Sequence, residues 1–229
     1  MVKIHGYCPD PRALLLVYDY VPNGTLAQHL HCVNNERRRE FLSWKTRVDI
    51  ALQIASAMEY LHFDLVPPIV HRDITSSNIF LEKDMRVKLG DFGMSRVMGN
   101  FNGTAAVLAG GSGSGCCVWT GPQGTPGYLD PDYYKSFLLT RRAMFIALGG
   151  VVGVGDGDEG GGRDEREGGG GAGGFCGGED SDAVVGARGV EAVAELAFRC
   201  VAADKDDRPD AREVVAELRR IRGGASLFT

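Results

Sequence analysis

Several features that would point to a particular class of protein are missing from this sequence. The six cysteines include no CxxC pair and no histidine at zinc-ligand spacing, so we predict free thiols and neither a metal nor a disulfide framework. The longest apolar stretch, Ala143 to Gly155, is interrupted by glycines and is shorter than the ~20 residues of a membrane span. The first ten residues have no apolar core of signal-peptide length. We therefore expect a cytoplasmic chain without a transmembrane span.

Positive charge is not in excess either. The chain has 25 Lys and Arg against 30 Asp and Glu, which gives a net charge of -5 at pH 7 and a pI near 5.6. Surfaces that bind nucleic acid need clustered lysine and arginine, so we expect no nucleic-acid partner. The 229 residues, 44% of them apolar, suffice for one or two domains with a buried core. The oligomeric state stays open.

The first hundred residues have ordinary globular patterns. The apolar run Ala13 to Tyr18 lies between Pro11 and the turn sequence Pro22-Asn23-Gly24, which predicts a buried strand. Ser43 is a candidate N-cap for a long amphipathic helix that ends before Pro67. Its apolar positions recur at three- and four-residue steps: Trp44, Val48, Ala51, Leu52, Ala55, Met58 and Leu61. Two short β-rich runs follow, Ile69 to Val70 and Arg86 to Leu89.

Composition changes in the second half. Residues 99–115 are loop-like, and residues 149–178 hold 16 of the 33 glycines, which predicts disorder. A helical pattern returns over Gly189 to Ala202 and over Asp210 to Arg222, where Asp210 and Glu213 have the spacing of a capping box. The predicted buried faces are Val193, Leu196, Ala197, Cys200 and Val201 in the first helix and Val214, Val215, Leu218 and Ile221 in the second.

Two short motifs carry the chemistry. The first is His71-Arg72-Asp73 with Asn78 shortly after it, and the second is Asp91-Phe92-Gly93 beyond a short strand. Two carboxylates and an amide on loops that flank a hairpin can converge on a phosphate and its magnesium ion. One carboxylate then accepts the proton of the attacking hydroxyl, and the other binds the metal together with the asparagine. Both motifs in this order are the signature of protein kinases.

The chain resembles eukaryotic protein kinases, and among them plant receptor-like serine/threonine kinases of the wall-associated-kinase-like type. The resemblance covers about residues 1–140 and 188–222 and is carried by LLLVYDYVPNGTLAQHLH, GTPGYLDPDYY and VAELAFRCVAADKDDRP besides the two motifs. It implies an α+β, protein-kinase-like fold, mainly the helical C-terminal lobe with only the last strands of the N-terminal lobe. It also implies ATP and Mg²⁺ as cofactors and a protein substrate or partner kinase. A longer receptor-like form would lie at the cytoplasmic face of the plasma membrane.

The same resemblance implies a division of the chain. The expected parts are a small-lobe remnant with the hinge (1–22), the large lobe with catalytic loop and activation segment (23–140), a glycine-rich disordered segment (141–188), the closing large-lobe helices (189–222) and a tail (223–229).

The resemblance also assigns roles to individual residues. Asp73 would be the catalytic base, Asn78 and Asp91 the magnesium ligands, and Arg72 the partner of an activation-loop phosphate. Asp132 and Arg208 would form a structural ion pair, and Thr125 belongs to the substrate-docking end of the activation segment. On the nucleotide side, Tyr18 would be the gatekeeper, the backbone of Asp19 and Val21 would bind adenine, and Phe80 would line the floor of the adenine pocket. Two alternatives stay open: Tyr18 and Val21 only pack a core strand, and Arg72 and His71 are only structural residues, with His71 holding the backbone of the loop.

The sequence also departs from the family pattern. Met1 stands seventeen residues before Tyr18, which leaves no room for the glycine-rich loop and the lysine that anchor ATP. Thr75 stands where family members have a lysine, and RRAMFIALGGVVG replaces a buried helix whose aspartate supports the catalytic loop. We therefore expect a protein serine/threonine kinase by family that is inactive as an isolated chain. The alternatives are a non-catalytic kinase-like binding module and a mispredicted or degenerate kinase fragment.

Overall fold

The structure, a computed structural model, describes residues 1–30, 42–99, 117–146, 148 and 183–224. Small antiparallel sheets and helices make up these residues, as expected for an α+β chain that is mainly a helical kinase lobe. The helices are α1 (Leu26–Leu30), α2 (Trp44–Glu59), α3 (Pro131–Ser136), α4 (Ala183–Cys200) and α5 (Ala211–Gly224). The strands are β1 (Ile4–Asp10), β2 (Ala13–Tyr18), β3 (Ile69–Val70), β4 (Ile79–Leu81), β5 (Val87–Leu89), β6 (Arg96–Val97), β7 (Cys117–Trp119) and β8 (Leu138–Thr140).

The amino-terminal strands β1 and β2 form a two-stranded ribbon. The strand predicted over Ala13 to Tyr18 is present, but the prediction that it is buried is wrong, because all six of its residues are exposed. A two-stranded ribbon leaves both faces open unless another layer covers them. The ribbon is joined to the rest of the chain by the backbone of Val2, whose N–H donates to the carbonyl oxygen of Leu89 at 2.9 Å.

The core of the described residues is built around α2. As predicted, Ser43 caps this helix, and its Oγ accepts a hydrogen bond from the Thr46 N–H at 3.2 Å. The helix continues through one wider turn at Tyr60–Asp64 and so ends before Pro67. Helix α5 packs against α2 and has the predicted capping box at its start. The buried apolar side chains of α2, α4 and α5 include Ile50, Ile54, Ala55, Met58, Leu196, Cys200, Val214, Val215 and Leu218. Burying each of the larger side chains contributes about 1.5–3 kcal/mol to the stability of the folded chain.

Three short strand pairs hold the loops that carry the motifs. Strands β3 and β6, β4 and β5, and β7 and β8 pair antiparallel in two-stranded sheets. Single helical turns occur at Ser76–Asn78, Phe92–Met94 and Arg141–Met144. The loop between β3 and β4 therefore carries the first motif, and the loop between β5 and β6 carries the second.

Some predicted boundaries differ from the structure. The first residues of the segment predicted as disordered from residue 141 belong to the core, because Ala143, Met144, Phe145 and Leu148 are at most 2% exposed. The helix predicted from Gly189 begins at Ala183. Val201, which was predicted to be buried, is 44% exposed because it lies one residue beyond the end of α4. The loop predicted over 99–115, apart from its first residue, and the disorder predicted over 149–178 lie outside the described residues.

Two other expectations concern features of the described residues. Among these residues, no helix has both the length and the apolar composition that a bilayer crossing requires. Among the described cysteines, Cys8 is an exposed free thiol and Cys200 a buried one.

Candidate active site

The first motif forms a tight turn directly after β3. Arg72 has a positive φ of 71°, which is the left-handed region that side chains other than glycine seldom adopt. His71, Arg72 and Asp73 are all buried, although each carries a polar or charged side chain. Buried polar groups must be hydrogen-bonded, so the partners of these three residues define the site.

The Asp73 carboxylate lies at the centre of the site. Its Oδ1 accepts hydrogen bonds from the Thr125 N–H at 3.1 Å and from the Thr125 hydroxyl at 2.6 Å. Its Oδ2 accepts one from the Asn78 side-chain amide at 2.8 Å. Hydrogen bonds to a charged group are worth about 1.5–3 kcal/mol each, so these contacts fix the carboxylate. Three residues predicted for the site, Asp73, Asn78 and Thr125, are therefore brought together.

Asn78 and Asp91 both retain oxygen atoms suited to a metal ion. The Asn78 amide nitrogen donates to the backbone oxygen and to Oδ2 of Asp73, and neither bond uses the Asn78 amide oxygen. Asp91 is exposed, has a φ of 52°, and uses Oδ1 to accept from the Gly93 N–H at 3.2 Å. Amide and carboxylate oxygens are the ligands that Mg²⁺ prefers.

His71 connects the two motifs. Its Nδ1 accepts the Asp73 N–H at 3.3 Å, so Nε2 carries the proton and donates to the carbonyl oxygen of Gly90 at 2.9 Å. Burial lowers the pKa of His71 below its ordinary value, which favours this neutral form. The His71 ring also packs edge-on against the Phe92 ring, with 4.5 Å between the two ring centroids. These contacts support the alternative in which His71 holds the loop.

The Arg72 guanidinium points toward the activation segment. It donates to the backbone oxygen of Met94, to the hydroxyls of Thr120 and Tyr133, and to Oε1 of Gln123 at 2.7 Å. All four acceptors are neutral. Within the described residues, Arg72 therefore forms no ion pair, and its role as the partner of a phosphate stays a prediction.

The predicted ion pair between Asp132 and Arg208 is wrong. Arg208 instead lies against Asp130, with Nη1 2.9 Å from Oδ2 and Nη2 3.1 Å from Oδ1. The side chains are only 1% and 2% exposed. Asp130 is the N-cap of α3 and accepts the N–H of Asp132 at 2.9 Å, so the cap position directs its carboxylate inward.

The residues predicted for the nucleotide side are less closely connected. Tyr18 is 47% exposed, whereas Val21 is buried. The Asp19 N–H donates to the carbonyl oxygen of Lys3 at 2.9 Å, which leaves only the Asp19 carbonyl for a contact with adenine. The Phe80 ring covers Gly90 so closely that a Cβ on this glycine would lie 2.6 Å from the ring.

Two residues of the site were not identified from the sequence. Gly124 has a φ of 145°, and a Cβ on it would lie 2.8 Å from the carbonyl oxygen of Arg72. Its position directly before Thr125 was the available signal. Gln123 accepts a hydrogen bond from the Arg72 guanidinium. The sequence does not indicate this contact, because a glutamine in a polar loop is common and is typical of many exposed positions.

Comparisons with known proteins show the family to which the chain belongs. Residues 1–123 match the protein family described as protein tyrosine and serine/threonine kinase. The chain belongs to this family. It is 53% identical over 245 residues to the leaf rust 10 disease-resistance locus receptor-like protein kinase-like 1.5 of Arabidopsis thaliana, with 97% of this chain and 37% of the relative covered.

Two further relatives from Arabidopsis thaliana are described as wall-associated receptor kinase-like proteins. The chain is 40% identical to wall-associated receptor kinase-like 20, with 66% of this chain and 22% of the relative covered. It is 36% identical to wall-associated receptor kinase-like 14, with 97% of this chain and 31% of the relative covered. The resemblance to plant receptor-like kinases is therefore confirmed, and the chain spans 22% to 37% of the length of these three relatives.

Proposed function

We propose that this chain provides the catalytic-loop half of a protein serine/threonine kinase active site, which transfers a phosphoryl group from ATP to a protein hydroxyl. The observation that carries the proposal is the buried Asp73 carboxylate, which Thr125 and Asn78 fix from two sides. A fixed carboxylate next to the activation segment is suited to accept the proton of a substrate hydroxyl. Asp73 is therefore assigned as the base, and Thr125 and Asn78 orient it.

The metal ligands in this proposal are Asn78 and Asp91. The described residues contain no group of three His, Cys, Asp or Glu side chains that could bind a metal unaided. Mg²⁺ at a nucleotide commonly takes one or two protein ligands together with phosphate oxygens, so the amide of Asn78 and the carboxylate of Asp91 fit this ion. When bound, Mg²⁺ supplies positive charge to the phosphates. The contribution of the chain is to hold these two oxygen donors on adjacent loops.

These 229 residues do not include the groups that anchor the ATP phosphates in protein kinases. No glycine-rich loop or paired lysine precedes Tyr18 in them, and Thr75 offers no cation. Such charges act directly on the transition state of phosphoryl transfer. The purified chain is therefore expected to phosphorylate neither itself nor a generic substrate above the rate of an Asp73→Asn control. Turnover that depends on Asp73 in the isolated chain would contradict this expectation.

A chimera tests the role of the site itself. The small lobe of the 53% identical relative is fused ahead of Val2, and phosphorylation of a generic protein substrate is measured with Mg²⁺ and ATP. We expect activity that falls by about 10²–10⁴-fold in Asp73→Asn, the range for a lost general base. The matched control is Asp207→Asn, an exposed carboxylate beyond α4. Activity that is equally insensitive to both substitutions would contradict the proposed role of Asp73.

A non-catalytic kinase-like module is the second candidate. The replacement of a family lysine by Thr75, a buried residue whose backbone oxygen accepts the Asn78 N–H, favours it. A folded chimera that binds ATP without any turnover would support this candidate. In either case we propose a protein substrate or a partner kinase as the binding partner, and the cytoplasmic face of the plasma membrane as the location of a receptor-like form.

A further inference from the structure

The ring of Phe80 takes up the space in which any side chain at Gly90 would lie. A Cβ added to Gly90 would be 2.6 Å from Cε2 and 3.0 Å from Cδ2 of this ring. Both distances are well inside the roughly 3.5–4.0 Å of a favourable carbon–carbon contact. Gly90 has no positive φ that would itself favour glycine. The backbone at this position therefore tolerates a side chain, and the Phe80 ring excludes one.

Phe80 is held in this place by its strand. Its backbone pairs with Lys88 in the sheet of β4 and β5, and it forms a further bridge with Thr25. Its two neighbours in β4, Ile79 and Leu81, are fully buried in the core. Because successive side chains of a strand point to opposite faces, Phe80 points away from the core. Its ring lies instead against the residue that follows β5.

That residue, Gly90, joins the two motifs through its backbone. Its N–H donates to the carbonyl oxygen of Asn78 at 2.9 Å, and its carbonyl oxygen accepts the His71 Nε2–H at 2.9 Å. The next residue in the chain is Asp91, which the proposed function assigns to the metal ion. A displacement of the Gly90 peptide would therefore lengthen both hydrogen bonds and move the backbone that carries Asp91.

We propose that Phe80 is a positioning residue, whose ring packs into the space beside Gly90 and keeps the Gly90 peptide in its two hydrogen bonds. Residue 90 is glycine because this ring would push a larger residue out of place. The resemblance assigns Phe80 only to the floor of an adenine pocket, so the contact gives this side chain a second role. The inference rests on the proposed function only for the importance of Asp91, because the contact itself is independent of phosphoryl transfer.

A double-mutant cycle on the full chain, followed by thermal unfolding, tests the fit between ring and glycine. Gly90→Ala forces a methyl group against the Phe80 ring, and such overpacking should lower the melting temperature by about 2–12 °C. Phe80→Leu removes the ring, so Gly90→Ala in a Phe80→Leu chain should lower it by less than about 2 °C. The matched control is Gly6→Ala, since a Cβ on Gly6 meets no atom within 4 Å. Its effect should be the same in the wild-type and the Phe80→Leu chain.

NMR spectra of the same chains separate positioning from a general loss of stability. In Gly90→Ala, the exchange of the His71 Nε2 proton with water, relative to slow core amides, should rise about two- to tenfold, the factor that one net hydrogen bond provides. The ratio should return to its wild-type value when Phe80→Leu is added to Gly90→Ala. Gly6→Ala should leave this ratio unchanged.

Three results would overturn the proposal. They are equal falls in melting temperature for Gly90→Ala in the wild-type and the Phe80→Leu chain, an unchanged exchange ratio at His71 in Gly90→Ala, and a ratio that Phe80→Leu does not restore. If the Gly90→Ala chain does not fold, the double variant must fold, and a double variant that also fails would overturn the proposal. An inactive chimera combined with this rescue would contradict the proposed function and leave the role of Phe80 intact.

Discussion

Removing the charge of Asp130 should destabilise the chain far more than removing the charge of Asp132, two residues further on. Asp130 and Arg208 are almost fully buried and meet through two nitrogen–oxygen contacts of 2.9 and 3.1 Å. Removing one partner of such a pair leaves the other charge buried and unpaired, which costs about 3–5 kcal/mol. Asp132 contributes backbone atoms rather than its carboxylate to the contacts around α3. Its substitution should therefore cost less than about 1 kcal/mol.

Urea unfolding followed by circular dichroism measures these differences. Asp130→Asn keeps an oxygen that can still cap α3, so its loss of stability reports the charge rather than the cap. Asp132→Asn is the matched control. In the double variant with Arg208→Met, the cost should be smaller than the sum of the two single costs by about 0.5–3 kcal/mol, because neither charge is then left unpaired. The slope of the unfolding free energy with urea should stay constant.

Two results would refute this reasoning. Equal losses of stability in Asp130→Asn and Asp132→Asn would mean that the two carboxylates share the pairing. Additive costs in the double variant would mean that Arg208 and Asp130 do not interact energetically, whatever their separation.

Two further predictions concern a buried histidine and a glycine with positive φ. Burial lowers the pKa of His62 from 6.5 to about 4, so the unfolded chain binds a proton at higher pH than the folded chain. The free energy of unfolding should therefore fall by about 1.4 kcal/mol per pH unit as pH drops from 6.5 toward 4. Urea unfolding at a series of pH values should show a smaller dependence of this free energy on pH in His62→Leu. The same dependence in both proteins would exclude His62 as its source. Gly124→Ala should cost about 1–3 kcal/mol, because the added Cβ would lie 2.8 Å from the carbonyl oxygen of the catalytic-loop arginine at a φ of 145°. Gly121→Ala, with no atom within 4 Å of its added Cβ, is the control, and equal melting temperatures of the two variants would contradict the account.

Local signals allowed much of the fold to be predicted. The cap at Ser43 and the capping box at Asp210 and Glu213 are short-range patterns in which each residue acts on a neighbour three positions away, so the sequence contains the whole interaction. The two kinase motifs were recognised because their residue types are rare in that order. The structure brings Asp73 and Asn78 together, and their catalytic roles stay predictions.

What could not be predicted depends on contacts between distant segments. Nothing in the sequence distinguishes Asp130 from Asp132 as the partner of Arg208, because only the direction of the α3 cap decides which carboxylate is buried. The apolar run of β2 indicates that burial is favourable but contains no information on whether a second layer covers it.

The histidine of the first motif makes the geometry of the site depend on a proton. Because His71 accepts from the Asp73 backbone with Nδ1 and donates to Gly90 with Nε2, it is hydrogen-bonded to both the loop of Asp73 and the loop of Asp91 only while it is neutral. Protonation would place a second donor opposite the Asp73 N–H, and the two donors would repel each other. Acid would therefore separate the loop of Asp73 from the loop of Asp91 by breaking the hydrogen bond between His71 and the Asp73 backbone.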